Sequence, residues 1–198
     1  MDTAPLFEAA GLQARVLQAG EVPQLQALFD ANPLYFETVS GRPAAPDEAQ
    51  REFDERPPPH LSWRSQWLLG VWRASDRSLQ GVIIATGDLC AEGVWHTALF
   101  LLATALHGSG AAAALHAAQI GWMQAQGARW LRLGVVLGNT RAERFWARQG
   151  YRPVRRREGI PAGDRLNTVQ LMVRPLGDAT LADYLARVPR DDPASTLP

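Results

Sequence analysis

A single cysteine, Cys90, stands in the 198 residues, so no internal disulfide can form. It has no zinc-like spacing to any of the four histidines, His60, His96, His107 and His116, and no metal site is expected. Net charge is lacking too, because 20 basic side chains are balanced by 20 acidic ones. A chain with no formal charge has no global attraction for nucleic acid or for an anionic membrane, so neither is an expected partner. Residues 2–5 lack the basic and apolar parts of a secretory leader, and the most apolar run, 98–106, is too short to span a bilayer. The expected location is the cytoplasm. What the chain does have is the ordinary make-up of one globular domain, 46% hydrophobic and 20% charged.

Residues 12–17 read as a first strand, and Pro23 suits the first turn of a helix that follows. The stretch 32–60 is rich in proline, glycine and acid, with a helix expected at 47–55 and stopped by Pro57, Pro58 and Pro59. Runs 66–73 and 81–85 alternate as strands around a polar turn and predict a hairpin. A long strand is expected at 94–103, then an alanine-rich helix with Leu115, Ala118, Trp122 and Ala125 inward and Gly127 at its end. His116 within it reads as a surface or packing residue. Another strand follows at 130–137, then a helix opened by Asn139 with Ala142, Phe145 and Trp146 inward, then strands at 151–155 and 168–173. Residues 178–188 read as a loosely attached helix and 191–198 as a disordered tail. The order β-α-α-β-β-β-α-β-α-β-β predicts a mixed sheet with helices on both faces, an α/β chain of the mixed α+β kind.

Two segments carry chemistry. His107-Gly108-Ser109-Gly110-Ala111-Ala112 joins a strand to a helix. The unpaired N–H groups of a first helical turn and the helix dipole favour an anion there, and glycine lets backbone approach it. Taken alone, such a turn is equally a plain strand-to-helix connection. It lacks the lysine of a P-loop and the third glycine of a dinucleotide fingerprint. The second segment runs from Asn139 through Ala142, Phe145, Trp146 and Gly150 to Tyr151.

This second segment resembles the Asn-x-x-Ala-x-x-aromatic-aromatic-x-x-x-Gly-aromatic signature of the GNAT N-acetyltransferase superfamily. The first is similar to that family's pyrophosphate loop, and the two occur in the family's order, one helix and one strand apart. By element order the likeness covers residues 12–174, and its motifs lie within 94–151. It implies a GNAT domain at 12–175, with 176–198 as a terminal helix and tail. It further implies a central, mostly antiparallel sheet whose fourth and fifth strands, 94–103 and 130–137, splay apart to admit acetyl-CoA. Phe100 would offer its backbone N–H to the thioester carbonyl, Leu102 would bond the pantetheine arm, and His107, Gly108, Ser109, Gly110, Ala111 and Ala112 would wrap the pyrophosphate. Asn139 would touch the arm, and Trp146 would pack under the coenzyme. No metal is implied.

Two positions depart from the family pattern. His107 stands where arginine or glutamine is usual, which weakens the charge but not the backbone contacts. Trp146 stands where many members carry a tyrosine thought to protonate the leaving thiolate, which an indole cannot do. His96, eleven residues before His107, is the expected catalytic base, since an imidazole is mostly neutral at pH 7. Glu92 and His60 are weaker candidates. The acceptor site is expected in 32–63, with Tyr35, Phe36 and Trp63 as aromatic walls and Glu37 as an acid, a combination suited to a cationic amine. The implied activity is N-acetyl transfer from acetyl-CoA to a primary amine of a small molecule or peptide, by direct attack in a ternary complex. A non-catalytic acyl-CoA binding or sensing protein of the same fold is the alternative that Trp146 keeps open. A homodimer is compatible with either.

Overall fold

The computed structural model describes residues 4–197. Eight strands form one sheet in the order β1-β2-β3-β4-β5-β6-β8-β7. They are β1 (Phe7–Ala9), β2 (Leu12–Val16), β3 (Ser65–Arg73), β4 (Leu79–Gly87), β5 (Val94–Leu102), β6 (Trp130–Val136), β7 (Arg152–Ala162) and β8 (Arg165–Pro175). Every neighbouring pair is antiparallel except β5 and β6. The helices are α1 (Val22–Asp30), α2 (Pro33–Ser40), α3 (Glu48–Asp54), α4 (Ala111–Ala125), α5 (Thr140–Arg148) and α6 (Leu181–Arg187). The expected fourth and fifth strands are therefore β5 and β6, because short β1 precedes the strand at residue 12.

Four elements, α2, β7, β8 and α4, differ in some part from the expectation. The stretch read as irregular after Asn32 contains α2, started by Pro33 in its first turn and ended at Gly41, which takes a left-handed φ of 76°. The last two strands are eleven residues each, far longer than 151–155 and 168–173. Strand β7 is the sheet's edge and is mostly exposed, so its polar run Arg155-Arg156-Arg157-Glu158 shows no alternation to read. Helix α4 turns Leu115, Ala118 and Trp122 toward the core as expected and also buries His116, Gln119, Ile120 and Met123, while Ala125 is exposed. Its alanines make it apolar almost all round, so its sequence does not mark how far the inward face extends.

The sheet packs α4 and α5 on one face and α1, α3 and α6 on the other. Trp95, Leu131, Leu133 and Met172 meet Ile120, Met123 and Trp146 on the first face. Val82, Ile84, Leu99 and Leu101 meet Leu25, Phe29 and Ala49 on the second. Strand β5 changes sides midway. Its register against β4 jumps from Ala85↔Thr97 to Ile84↔Leu99, leaving Ala98 as an extra residue in a bulge. Before the bulge Trp95 faces α4; beyond it Phe100 and Leu102 do.

The chain beyond residue 176 is not loose. Tyr184 of α6 and Asp191 are both fully buried. Asp191 takes two bonds from Arg132 of β6, 2.6 Å from Nε and 3.3 Å from Nη2, and one from the Tyr184 hydroxyl at 2.5 Å. Burial pushes the Asp191 carboxyl up, but the hydrogen bonds and charge of Arg132 outweigh it and hold it below the usual range. The expected tail at 191–198 thus begins at a buried anchor. No helix among the described residues is long and apolar enough to cross a membrane.

Candidate active site

Strands β5 and β6 pair only from Val94↔Trp130 to Thr97↔Leu133. Beyond that point β5 stays with β4 and β6 with β8, and a gap opens between them. The gap widens into a cleft of about 740 Å³. On its β5 wall the pairing fixes backbone direction. Ala103 N–H bonds to Gln80 O, so in this antiparallel ladder Leu101 and Leu99 also turn toward β4. Phe100 and Leu102 then direct their N–H and C=O groups into the gap.

One end of the cleft has backbone and helix dipoles that favour an anion. Gly108 and Gly110 have φ of 79° and 86°, and a Cβ on either would meet no atom within 4 Å, so the loop presents bare backbone to open space. Helix α4 opens from this loop, and its first internal bond joins Ala114 N–H to Gly110 O. The N–H groups of Ala112 and Ala113 therefore have no acceptor within the helix. Helix α5 opens beside it, capped by Asn139, whose side chain accepts from Ala142 N at 3.2 Å. Two helix N-termini thus converge, and Arg141 lines the cleft next to them.

His107 donates from Nε2 to the Leu102 carbonyl at 3.1 Å, because a carbonyl can only accept. Burial and then the charge of Arg141 hold its pKa below the usual value. Ser109 and Ala111 do not line the cleft. The Ser109 hydroxyl donates to Leu106 O and accepts from Ala111 N, which shapes the loop from inside.

The floor is aromatic. Trp146, 8% exposed, packs on Phe145, Phe100 and Tyr151, with its ring centroid 5.6 Å from that of Phe100. Its indole N–H finds no acceptor in the protein and, unlike those of Trp72 and Trp95, is not sealed off. Beneath it lies a buried polar chain. Tyr151 OH reaches His116 Nε2 at 3.3 Å, His116 Nδ1 reaches Gln119 Oε1 at 3.0 Å, and Gln119 Nε2 donates to Thr97 Oγ1 at 3.5 Å. Burial pushes the His116 pKa down to about 4, so it is a neutral link rather than a surface residue.

Of the expected site residues, Phe100, Leu102, His107, Gly108, Gly110, Ala112, Asn139, Trp146 and Tyr35 meet around this one cleft. The remaining acceptor candidates do not. Phe36 is a core residue, its ring 4.8 Å from that of Phe29, while Glu37 and Trp63 are exposed outside the lining. The residues of the 32–63 stretch that do line the cleft are Asn32, Leu34, Tyr35 and Thr38 at the α1–α2 junction. Buried Asn32 donates to Leu28 O and accepts from Thr104 N, both at 2.7 Å, tying the end of α1 to the approach of the glycine loop.

His96 lies before the bulge, on the face opposite Phe100, and is not part of the lining. Its Nδ1 accepts from Arg132 Nη1 at 3.2 Å, and a guanidinium can only donate. The neutral ring therefore carries its proton on Nε2 and has no lone pair left. Burial, and then the Arg132 charge, push its pKa down to about 3. The geometry gives His96 no means of accepting a proton from an amine in the cleft. His60 is exposed and also outside the lining.

No curated protein sequence matches the chain. Solved structures do match. An acetyltransferase from Thermus thermophilus is similar at 21% identity and a TM-score of 0.63, over 83% of this chain and 97% of the other. A GCN5-related N-acetyltransferase from Kribbella flavida is similar at 22% and 0.60, over 84% and 98%. The ribosomal-protein-S18-alanine N-acetyltransferase from Escherichia coli is similar at 13% and 0.60, over 86% and 97%. The family model described as acetyltransferase (GNAT) family matches residues 25–151, a span that holds both helix N-termini and the gap between β5 and β6. The chain belongs to the GNAT acetyltransferase family and is an acyltransferase enzyme.

Proposed function

We propose that the protein transfers an acetyl group from acetyl-CoA to a primary amine of a small molecule or peptide, by direct attack in a ternary complex. The observation that carries this reading is the gap itself. Backbone N–H groups of Phe100 and Leu102 point into an opening that leads to bare glycine backbone at the N-terminus of α4. Those residues suit acetyl-CoA as substrate: the glycine loop, the α4 and α5 N-termini and Arg141 for its phosphates, Leu102 and Asn139 for its arm, Trp146 and Phe145 for its apolar length. The N–H of Phe100 is pre-aimed at the place where carbonyl charge would grow, and a fixed donor there stabilises a developing oxyanion. Arg141 also offsets the charge that His107 does not supply.

Acetyl-CoA at a hundred times its Kd should stabilise the fold by about 2.7 kcal/mol, read as a rise in melting temperature. Gly110→Glu should abolish that rise, since Glu adds a strained side chain and a like charge where the phosphates belong. No rise in the wild type would overturn the reading. Trp146 places no phenol at the cleft floor, so the departing thiolate has no tyrosine acid there. Release of free CoA on adding amines tests the transfer directly.

A further inference from the structure

The cleft offers groups that bind anions and, beside Phe100 where the thioester carbonyl would sit, none that accepts a proton. Among the described residues, its ionisable lining groups are Arg141, Arg148, His107 and Tyr35, and it has no carboxylate. Guanidinium stays charged. Burial, with Glu52 and Glu48 of α3 behind it, pushes the Tyr35 phenol up, away from phenolate. His107 keeps a lone pair on Nδ1, but its Nε2 bond to Leu102 O holds the ring at the glycine-loop end, beyond the 104–106 turn from Phe100 and away from the reacting carbonyl. His96 gives its only lone pair to Arg132, and His116 is sealed under Trp146.

From this we infer that the acceptor is an amine already substantially uncharged near neutral pH, an α-amine or an aromatic amine, rather than the ε-amine of lysine. The inference rests on the transfer reading above. The amine nitrogen bonds to the acetyl carbon, the carbon–sulfur bond breaks, and the proton lost by nitrogen goes to the departing thiolate, giving amide and thiol with no protein base. Such a site uses only the free-base fraction of its substrate. At pH 7 that is about one molecule in ten for an α-amine near pKa 8, and about one in 2,500 for a lysine side chain near 10.4.

The test measures kcat/KM by CoA release from pH 6 to 10. Its probes are a lysine-free tripeptide with a free N-terminus, Nα-acetyl-lysine amide and p-anisidine. The chain contains no lysine, so acetyl-lysine found by mass spectrometry comes only from the probe. At pH 7 the tripeptide or the anisidine should exceed the lysine probe roughly a hundredfold or more. The lysine probe should rise tenfold per pH unit toward pH 10; the tripeptide should level off near pH 8 and the anisidine should be flat. The faster of those two identifies the source.

A lysine probe that rivals the others at pH 7, or levels off below pH 8, reveals a protein base and overturns the inference. Glu52→Gln would then show whether the carboxyl behind Tyr35 is that base. If acetyl-CoA raises the melting temperature but no probe releases CoA at any pH, the transfer reading itself fails, and this one with it.

Discussion

Trp146 does its work through shape. Its ring lies between the cleft and the buried Tyr151–His116–Gln119 chain, and its N–H bonds to nothing in the protein, so replacing it orphans no partner. Both Trp146→Phe and Trp146→Tyr should therefore cost apolar contact area with the coenzyme, about 1 kcal/mol or about fivefold in Kd. Both should leave kcat within about threefold, because packing rather than proton donation is what is lost. A large kcat gain confined to the tyrosine variant would show that a missing acid limits turnover. The sequence marks this residue well, since helical spacing alone turns it inward. His96 shows where such reading ends. Plain alternation puts residues 96 and 100 on one face of a strand, and a single inserted residue, Ala98, separates them. Nothing in the local pattern 94–102 marks a bulge, and the arginine that occupies His96 is 36 residues away.

At the scale of elements, the glycine loop, α4 and α5 are legible because their signals are local: strand, glycines, cap, terminal glycine. The acceptor end is not. Helix α2 lies in a proline-rich stretch and has one buried residue, Phe36, so it has no stripe to read. Its position depends on distant bonds, such as Asn167 Nδ2 to Val39 O at 2.8 Å. Helix α3 carries Glu52, whose carboxyl is pushed up to about 7 by burial and then by Glu55 and Glu48. A folded-state pKa raised above the unfolded 4.5 gives a contribution fully present below pH 4.5 and lost as pH rises through 7. Glu52→Gln should thus leave stability unchanged at pH 4 and raise it at pH 8 by about 1–3 kcal/mol, several degrees in Tm. Equal melting of the two proteins at pH 8 would mean that this carboxyl is freely hydrated in solution.

For the molecule as a whole, the parallel β5–β6 pair is the seam on which the proposed function depends: it is joined at one end and open at the other. The joined end is held from outside the sheet. Arg132 of β6 bonds His96 of β5 and Asp191 beyond α6, and Arg157 of β7 approaches Asp191 to 3.5 Å. The sequence hides this clamp, because Asp191 sits in a polar, proline-flanked stretch that has the composition of a free tail. Removing one partner of a buried pair leaves the other charge uncompensated, which costs about 3–5 kcal/mol. Asp191→Ala should accordingly lower Tm by roughly 6–20 °C for a chain of this size. The depressed carboxyl adds a pH signature: its stabilisation is present above the unfolded value of 3.8 and is lost as pH falls through the lower folded value. The wild type should therefore lose its margin over Asp191→Ala only in strong acid, well below pH 3.8. Thermal melts of both proteins at pH 7 and pH 3 decide it. Equal Tm at pH 7 would show that the C-terminal segment is a passenger, and that β5 and β6 hold their closed end without it.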